Sequence, residues 1–207
     1  ILVFPSEYPF CAEMRWLLHE VIRNHPLGGK VFFDQTKGMI TLTIRVNKQD
    51  ADASPQINWC RYPSVTIEFG CNRYVKEGRF DKQRFYAEMC HETTHLLDRK
   101  HDSVFAITDE KEQYAKDISA GYSPPIYMDL WNLYINGRLW RKGVKVESFE
   151  CFREKRFGKR LNKGLINETA FGPYKKAFDS NVLSFDEIIR LAKETIELFN
   201  NLTRKPS

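Results

Sequence analysis

Three of the five histidines fall within eleven residues: His91, His95 and His101. The first two belong to His91-Glu92-Thr93-Thr94-His95, an H-E-x-x-H stretch. On a helix, residues four apart lie one turn above each other on the same face. Both imidazoles can then reach a single ion, with the Glu92 carboxylate beside it. Imidazole nitrogens suit Zn2+, and a flanking carboxylate suits removal of a proton from water. The chemistry this spacing supports is zinc-assisted hydrolysis, with His91 and His95 as ligands and Glu92 as the base.

A site of this kind needs a third protein ligand. Glu112 follows in Asp109-Glu110-Lys111-Glu112-Gln113-Tyr114-Ala115-Lys116-Asp117, which reads as a second helix with Thr108 or Asp109 as its cap. His101 competes, because His91, His95 and His101 fit the H-E-x-x-H-x-x-G-x-x-H spacing. There, however, Asp98 replaces the glycine that lets a helix turn sharply. Aspartate tolerates left-handed backbone better than most residues, so His101 stays open. Asp109 and Asp98 are further alternatives. With Glu112 as the ligand, Asp98 is instead expected to accept a hydrogen bond from a ligand imidazole.

The elements that must position these groups are legible in outline. Residues 80–97 contain no Gly or Pro, and Phe85, Met89 and Leu96 recur at helical spacing behind Asp81, a suitable N-cap. Residues 11–24 form a second amphipathic pattern on Met14, Leu17, Leu18, Val21 and Ile22, ended by Pro26-Leu27-Gly28-Gly29. Its His19 and the following His25 read as surface or partly packed histidines. Residues 30–34 and 39–46 are β-branched and aromatic and read as a hairpin, 47–55 as a polar loop, and 63–70 as a strand leading into the motif helix. That last strand is expected to border the cleft and to accept an extended peptide along its edge. Residues 124–136 are a further helix candidate, and Ser184-Phe185-Asp186-Glu187 is a capping box opening a final helix.

Taken together, His91-Glu92-x-x-His95-x-x-Asp98 and Glu112-x-Tyr114-Ala115 resemble the two motifs of gluzincin peptidases, on the anthrax-lethal-factor-like side of the zincins. The resemblance covers residues 85–120. It implies an α+β zincin-like catalytic domain, with a small mixed sheet, an active-site helix and a glutamate helix, followed by a helical C-terminal portion. It implies Zn2+ as cofactor and a metalloendopeptidase activity on a protein substrate. The chain departs from that group in a shorter gap between motifs and in Phe105, which stands where a catalytic tyrosine tends to lie. Tyr114, Tyr122 and Tyr127 are then the candidate transition-state donors. A fainter likeness, on the motif and chain size alone, is to actin-cleaving bacterial effector proteases. It implies a toxin made in a bacterial cytoplasm and acting in a host cytosol on an acidic protein such as actin. The readings left beside it are a metzincin-type peptidase using His101, a protease acting on DNA-bound proteins, and a non-catalytic binding protein.

Composition bounds these expectations. The chain has 207 residues, 42% of them apolar, enough for a real core. Fifteen phenylalanines supply large core groups. No apolar run approaches the length of a membrane span, so a soluble monomer is expected. Five cysteines without C-x-x-C spacing read as reduced, buried small residues, with a Cys60–Cys71 bridge as the alternative. Residues 138–163 hold ten Lys/Arg against three Glu, a surplus that exceeds the +5 net charge of the whole chain. This segment reads as a solvated, strand-containing appendage or as a docking surface for an acidic partner; nucleic acid is the less favoured partner. The charge shift divides the chain into a catalytic domain, 1–137, and a basic and helical portion, 138–207.

Overall fold

The structure is a computed structural model, and it describes residues 2–3, 10–28, 33–34, 38–39, 41–47, 49–59, 64–70, 72–100, 105, 107–161 and 168–203. The chain forms two compact units, one of residues 1–100 with Val144–Val146, the other of residues 101–143 and 147–207. The architecture is α+β, with strands in the first unit and helices in both.

The first unit contains β1 (Leu2–Val3), α1 (Cys11–Arg23), β2 (Phe33–Asp34), β3 (Gly38–Met39), β4 (Thr41–Asn47), β5 (Gln56–Trp59), β6 (Ser64–Gly70), β7 (Val75–Lys76), β8 (Arg79–Phe80) and α2 (Lys82–Lys100). Its main sheet runs β1-β4-β6-β5; β1, β4 and β6 are parallel, and β5 is antiparallel to β6. Val65, Thr66, Ile67 and Phe69 of β6 are all buried. That is the continuous burial of a strand covered on both faces. The small sheet β2–β3 pairs Phe33 with Met39, so the expected hairpin is real but short; β4 leaves it to join β1 and β6. The β7–β8 hairpin turns through Glu77 and Gly78, both at positive φ (52° and 72°), the turn geometry that matches strand twist.

One expectation is corrected here. β6 is not an edge strand. β5 pairs with it from Gln56↔Glu68 to Trp59↔Val65 and occupies the edge on which a peptide was to add. Alternation is weak in so short a strand, and residues 56–59 carry no strand signal of their own until β6 supplies a partner. α1 and α2 pack on one another through the face carrying Met14, Leu17, Leu18 and Val21.

The second unit contains α3 (Asp109–Ile118), α4 (Ile126–Arg141), α5 (Phe149–Leu161), a 3-10 turn (Glu168–Phe171), α6 (Gly172–Asp179) and α7 (Phe185–Thr203). α4 is buried nearly all round, through Ile126, Tyr127, Leu130, Trp131, Leu133, Tyr134, Ile135 and Leu139. A helix apolar on every side belongs at the centre of a bundle, and α4 packs on both α6 and α7. Gly137 lets α4 and α6 approach closely, since a Cβ there would run into the Phe178 carbonyl. The capping box forms as read: Ser184 N–H donates to Glu187 Oε2 (2.9 Å), and Glu187 N–H donates to Ser184 Oγ (3.2 Å).

The basic segment is helical up to Arg141 and from Phe149 to Leu161, with a non-helical connection at 142–148, and no strand occurs among its described residues. The expected boundary at 137/138 falls inside α4. Much of the segment's charge is committed within the unit. Arg153 pairs with Glu168, Lys155 with Glu147 and Arg156 with Asp129. Arg141 donates to the Phe178 and Ser180 carbonyls, and Arg138 lies over the Tyr134 ring. No helix is long and apolar enough to cross a membrane among the described residues.

Candidate metal centre

α2 carries the motif. Asp81 Oδ1 accepts from Arg84 N–H (3.0 Å) and closes the first turn, as expected of an N-cap. Phe85, Met89, Leu96 and Leu97 bury one side of the helix. His91 and His95 fall one turn apart, and their ring centroids lie 5.0 Å apart at 71°. Two Zn–N bonds of about 2.0–2.1 Å at a tetrahedral angle require nitrogens roughly 3.3 Å apart. Rings at this separation can meet that requirement. His95 is 8% exposed and His91 half-buried, so both rings are held by protein while the pair keeps access to solvent.

Glu92 is half-buried beside them. Burial, and secondarily the Glu88 carboxylate, pushes its pKa up to about 8. Without a cation, Glu92 therefore carries its proton at neutral pH. A divalent cation held by the neighbouring imidazoles would favour the ionised form. Two imidazoles with a carboxylate next to them are a donor set that fits zinc.

Two supports of this helix were not anticipated. Glu88, one turn before Glu92, accepts from Arg73 Nε (3.1 Å) and Nη2 (2.8 Å), from the Tyr74 hydroxyl (2.8 Å) and from Arg84 Nε (3.1 Å). Burial alone would raise its pKa, but these donors hold it below the usual carboxylate range. On the opposite side, His25 is buried, not a surface residue. Its Nδ1 accepts from Leu27 N–H (3.3 Å), which leaves the proton on Nε2 to donate to the Cys90 carbonyl (3.2 Å), beside Thr94 Oγ1 (3.3 Å). His25 thus pins the motif turn from behind. The signal available in sequence was the turn Pro26-Leu27-Gly28, which folds the chain back at the end of α1.

The Glu88 cluster sets a pH dependence. A depressed folded-state pKa adds stability above the unfolded carboxyl pKa, and that stability is lost as pH falls through the folded value. Glu88→Gln should therefore destabilise the protein at pH 7 by roughly 1–3 kcal/mol. The gap to wild type should close under acid conditions, and urea unfolding at both pH values would measure it. A gap that persists in acid would mean the side chain contributes by packing alone.

The other expected site residues lie as follows. Asp98, three residues beyond His95, is 1% exposed. Glu112, Asp109 and Tyr114 lie on α3 in the second unit, where Thr108 caps the helix by accepting from Lys111 N–H. Lys116 Nζ is 3.4 Å from Glu112 Oε1. Tyr114 is 46% exposed, with Lys193 over its ring. Tyr127 is in the core of the second unit against Phe185, and Tyr122 stands near Phe199. His101 lies outside the described residues. Among the described residues, no group of three or more His, Cys, Asp or Glu is placed to hold a metal ion. Cys90, beside His91, is buried, and burial pushes its thiol up to about 12, which makes it an inert core group. Cys11 is half-buried and Cys151 exposed, both free, so burial is not general among the cysteines; Cys60 and Cys71 lie outside the described residues.

No protein-family model matches the chain, and no curated protein and no solved structure matches it significantly.

Proposed function

We propose that this protein is a zinc-dependent metalloendopeptidase that hydrolyses peptide bonds of a protein substrate. The observation that carries the reading is the α2 face, where the His91 and His95 ring centroids lie 5.0 Å apart, with Glu92 next to His91 in sequence on the same helix. His91 and His95 would hold the ion. Glu112 is the proposed third donor, on its order of glutamate, aromatic and alanine; it would have to exchange its Lys116 contact for the metal. Zinc in such a site supplies Lewis acidity toward water and a substrate carbonyl. Glu92 takes the proton of the attacking water and delivers it to the leaving amine. Glu88 and His25 fix the helix that presents these groups, and Asp98 orients an imidazole ring.

The finer reading is a bacterial effector acting on an acidic host cytosolic protein such as actin. Its support is the motif likeness and the positive net charge. The internal pairing of Arg153, Lys155 and Arg156 removes part of the basic surface from that role.

The deciding experiment measures metal content of the purified protein together with cleavage of a peptide library. One zinc per chain, lost in a His91→Ala/His95→Ala variant along with cleavage, is the expected result. A protein that takes up no zinc when supplied with it is not a zinc enzyme of any kind.

A further inference from the structure

The second unit holds a cavity of about 150 Å³ that the α2 motif does not touch. It is lined by Tyr122 and Ser123 from the turn after α3, Arg156 and Phe157 of α5, Tyr174 of α6 and Phe199 of α7. Two of these residues supply hydrogen-bond donors.

The first is Arg156. Its Nε donates to Asp129 Oδ2 (2.9 Å), Nη1 to the Ser123 carbonyl (2.9 Å) and Nη2 to the Pro124 carbonyl (3.1 Å). A guanidinium has five N–H donors in a rigid plane, so one on each terminal nitrogen is left over. The three bonds fix that plane at the cavity wall. The second is Tyr174. It is 1% exposed and lines the cavity. Burial, then the nearby Asp129 carboxylate, pushes its pKa up, so it stays a donor at every working pH.

We propose that this cavity is a binding site for a small carboxylate. The two spare guanidinium donors suit the paired oxygens of a carboxylate. The Tyr174 hydroxyl, with that of Tyr122 beside it, supplies further donors, and Phe157 and Phe199 wall the short apolar stem. Asp129 already balances the charge of Arg156, which favours a monoanion over a phosphate dianion. The volume admits a group the size of propionate or the tip of a glutamate side chain or chain terminus. Carboxylate is the shared chemistry of the free acid and the peptide.

The test titrates the full chain with sodium propionate, with propionamide, and with a short peptide as its C-terminal acid and its C-terminal amide, at constant ionic strength. Saturable binding of an acid and not of its amide is expected. Tyr174→Phe should weaken that binding roughly tenfold or more. The same variant should melt near the wild-type temperature, so that lost binding is read apart from lost fold; a merely structural tyrosine would lower it. Tighter binding of the peptide acid than of propionate identifies a chain terminus as the source, and the reverse order identifies a free metabolite. No saturable binding of either acid, equal binding of the amides, or binding untouched by Tyr174→Phe would each overturn the proposal and leave the cavity to water.

Discussion

Glu92→Gln should keep zinc at wild-type stoichiometry and lower peptide hydrolysis by about 10²-fold or more. Glutamine preserves the shape and one acceptor oxygen but cannot take a proton from water. The environment sharpens this expectation. Glu92 is desolvated and repelled by Glu88, and its pKa sits near 8 without metal. Removing a carboxyl that is costly to ionise should not destabilise the metal-free protein. The melting temperature of the metal-free variant should therefore match or exceed wild type, which separates lost chemistry from lost fold. Zinc analysis, a melting curve and a cleavage assay on the same sample make the test. A zinc-loaded Glu92→Gln protein that still turns over substrate at a substantial rate would remove Glu92 from the role of base.

The elements that position Glu92 were legible where the signal is local. α1, α2 and α7 follow from apolar spacing, and two of their N-termini from side chains three residues from their targets, Asp81 to Arg84 and Ser184 to Glu187. What could not be read depends on a distant partner. β5 is a strand because β6 pairs with it, and that pairing turns β6 from an edge into an interior strand. His25 is buried because the chain folds its turn against Cys90, 65 residues on. Arg156 reads as one more solvated charge in a basic run until Asp129, 27 residues earlier, places it in a part-buried ion pair. Reversing Arg156 to glutamate would break that pair and strand a second carboxylate against Asp129, so it tests folding and not partner binding. Of the proposed site, two imidazoles and a carboxyl on one helix were legible. A third ligand would come from another segment, and helix periodicity does not extend across a turn.

Glu112→Ala should therefore be the most informative metal variant: zinc affinity should fall by more than about 100-fold, while His101→Ala leaves it near wild type. A ligand contributes directly to binding, whereas an outer hydrogen-bond partner costs only about 10- to 100-fold when lost. The order Glu112-x-Tyr114-Ala115 on a capped helix favours Glu112. Against His101 stands Asp98, since the alternative spacing needs a sharp left-handed turn where glycine is the usual residue. α2 is helical through Asp98 and on to Lys100. A ligand at His101 would need the chain to turn back from that helix end. Lys116 supplies an internal control. Its ammonium contacts Glu112 at 3.4 Å and competes with any cation there, so Lys116→Ala should bind zinc at least as tightly as wild type. Metal titration against a chromophoric chelator reads all three variants. If His101→Ala empties the site while Glu112→Ala stays loaded, the gluzincin assignment fails and the metzincin arrangement replaces it. If neither changes zinc affinity, the third donor is Asp98 or Asp109, and the same titration on Asp98→Ala and Asp109→Ala identifies it.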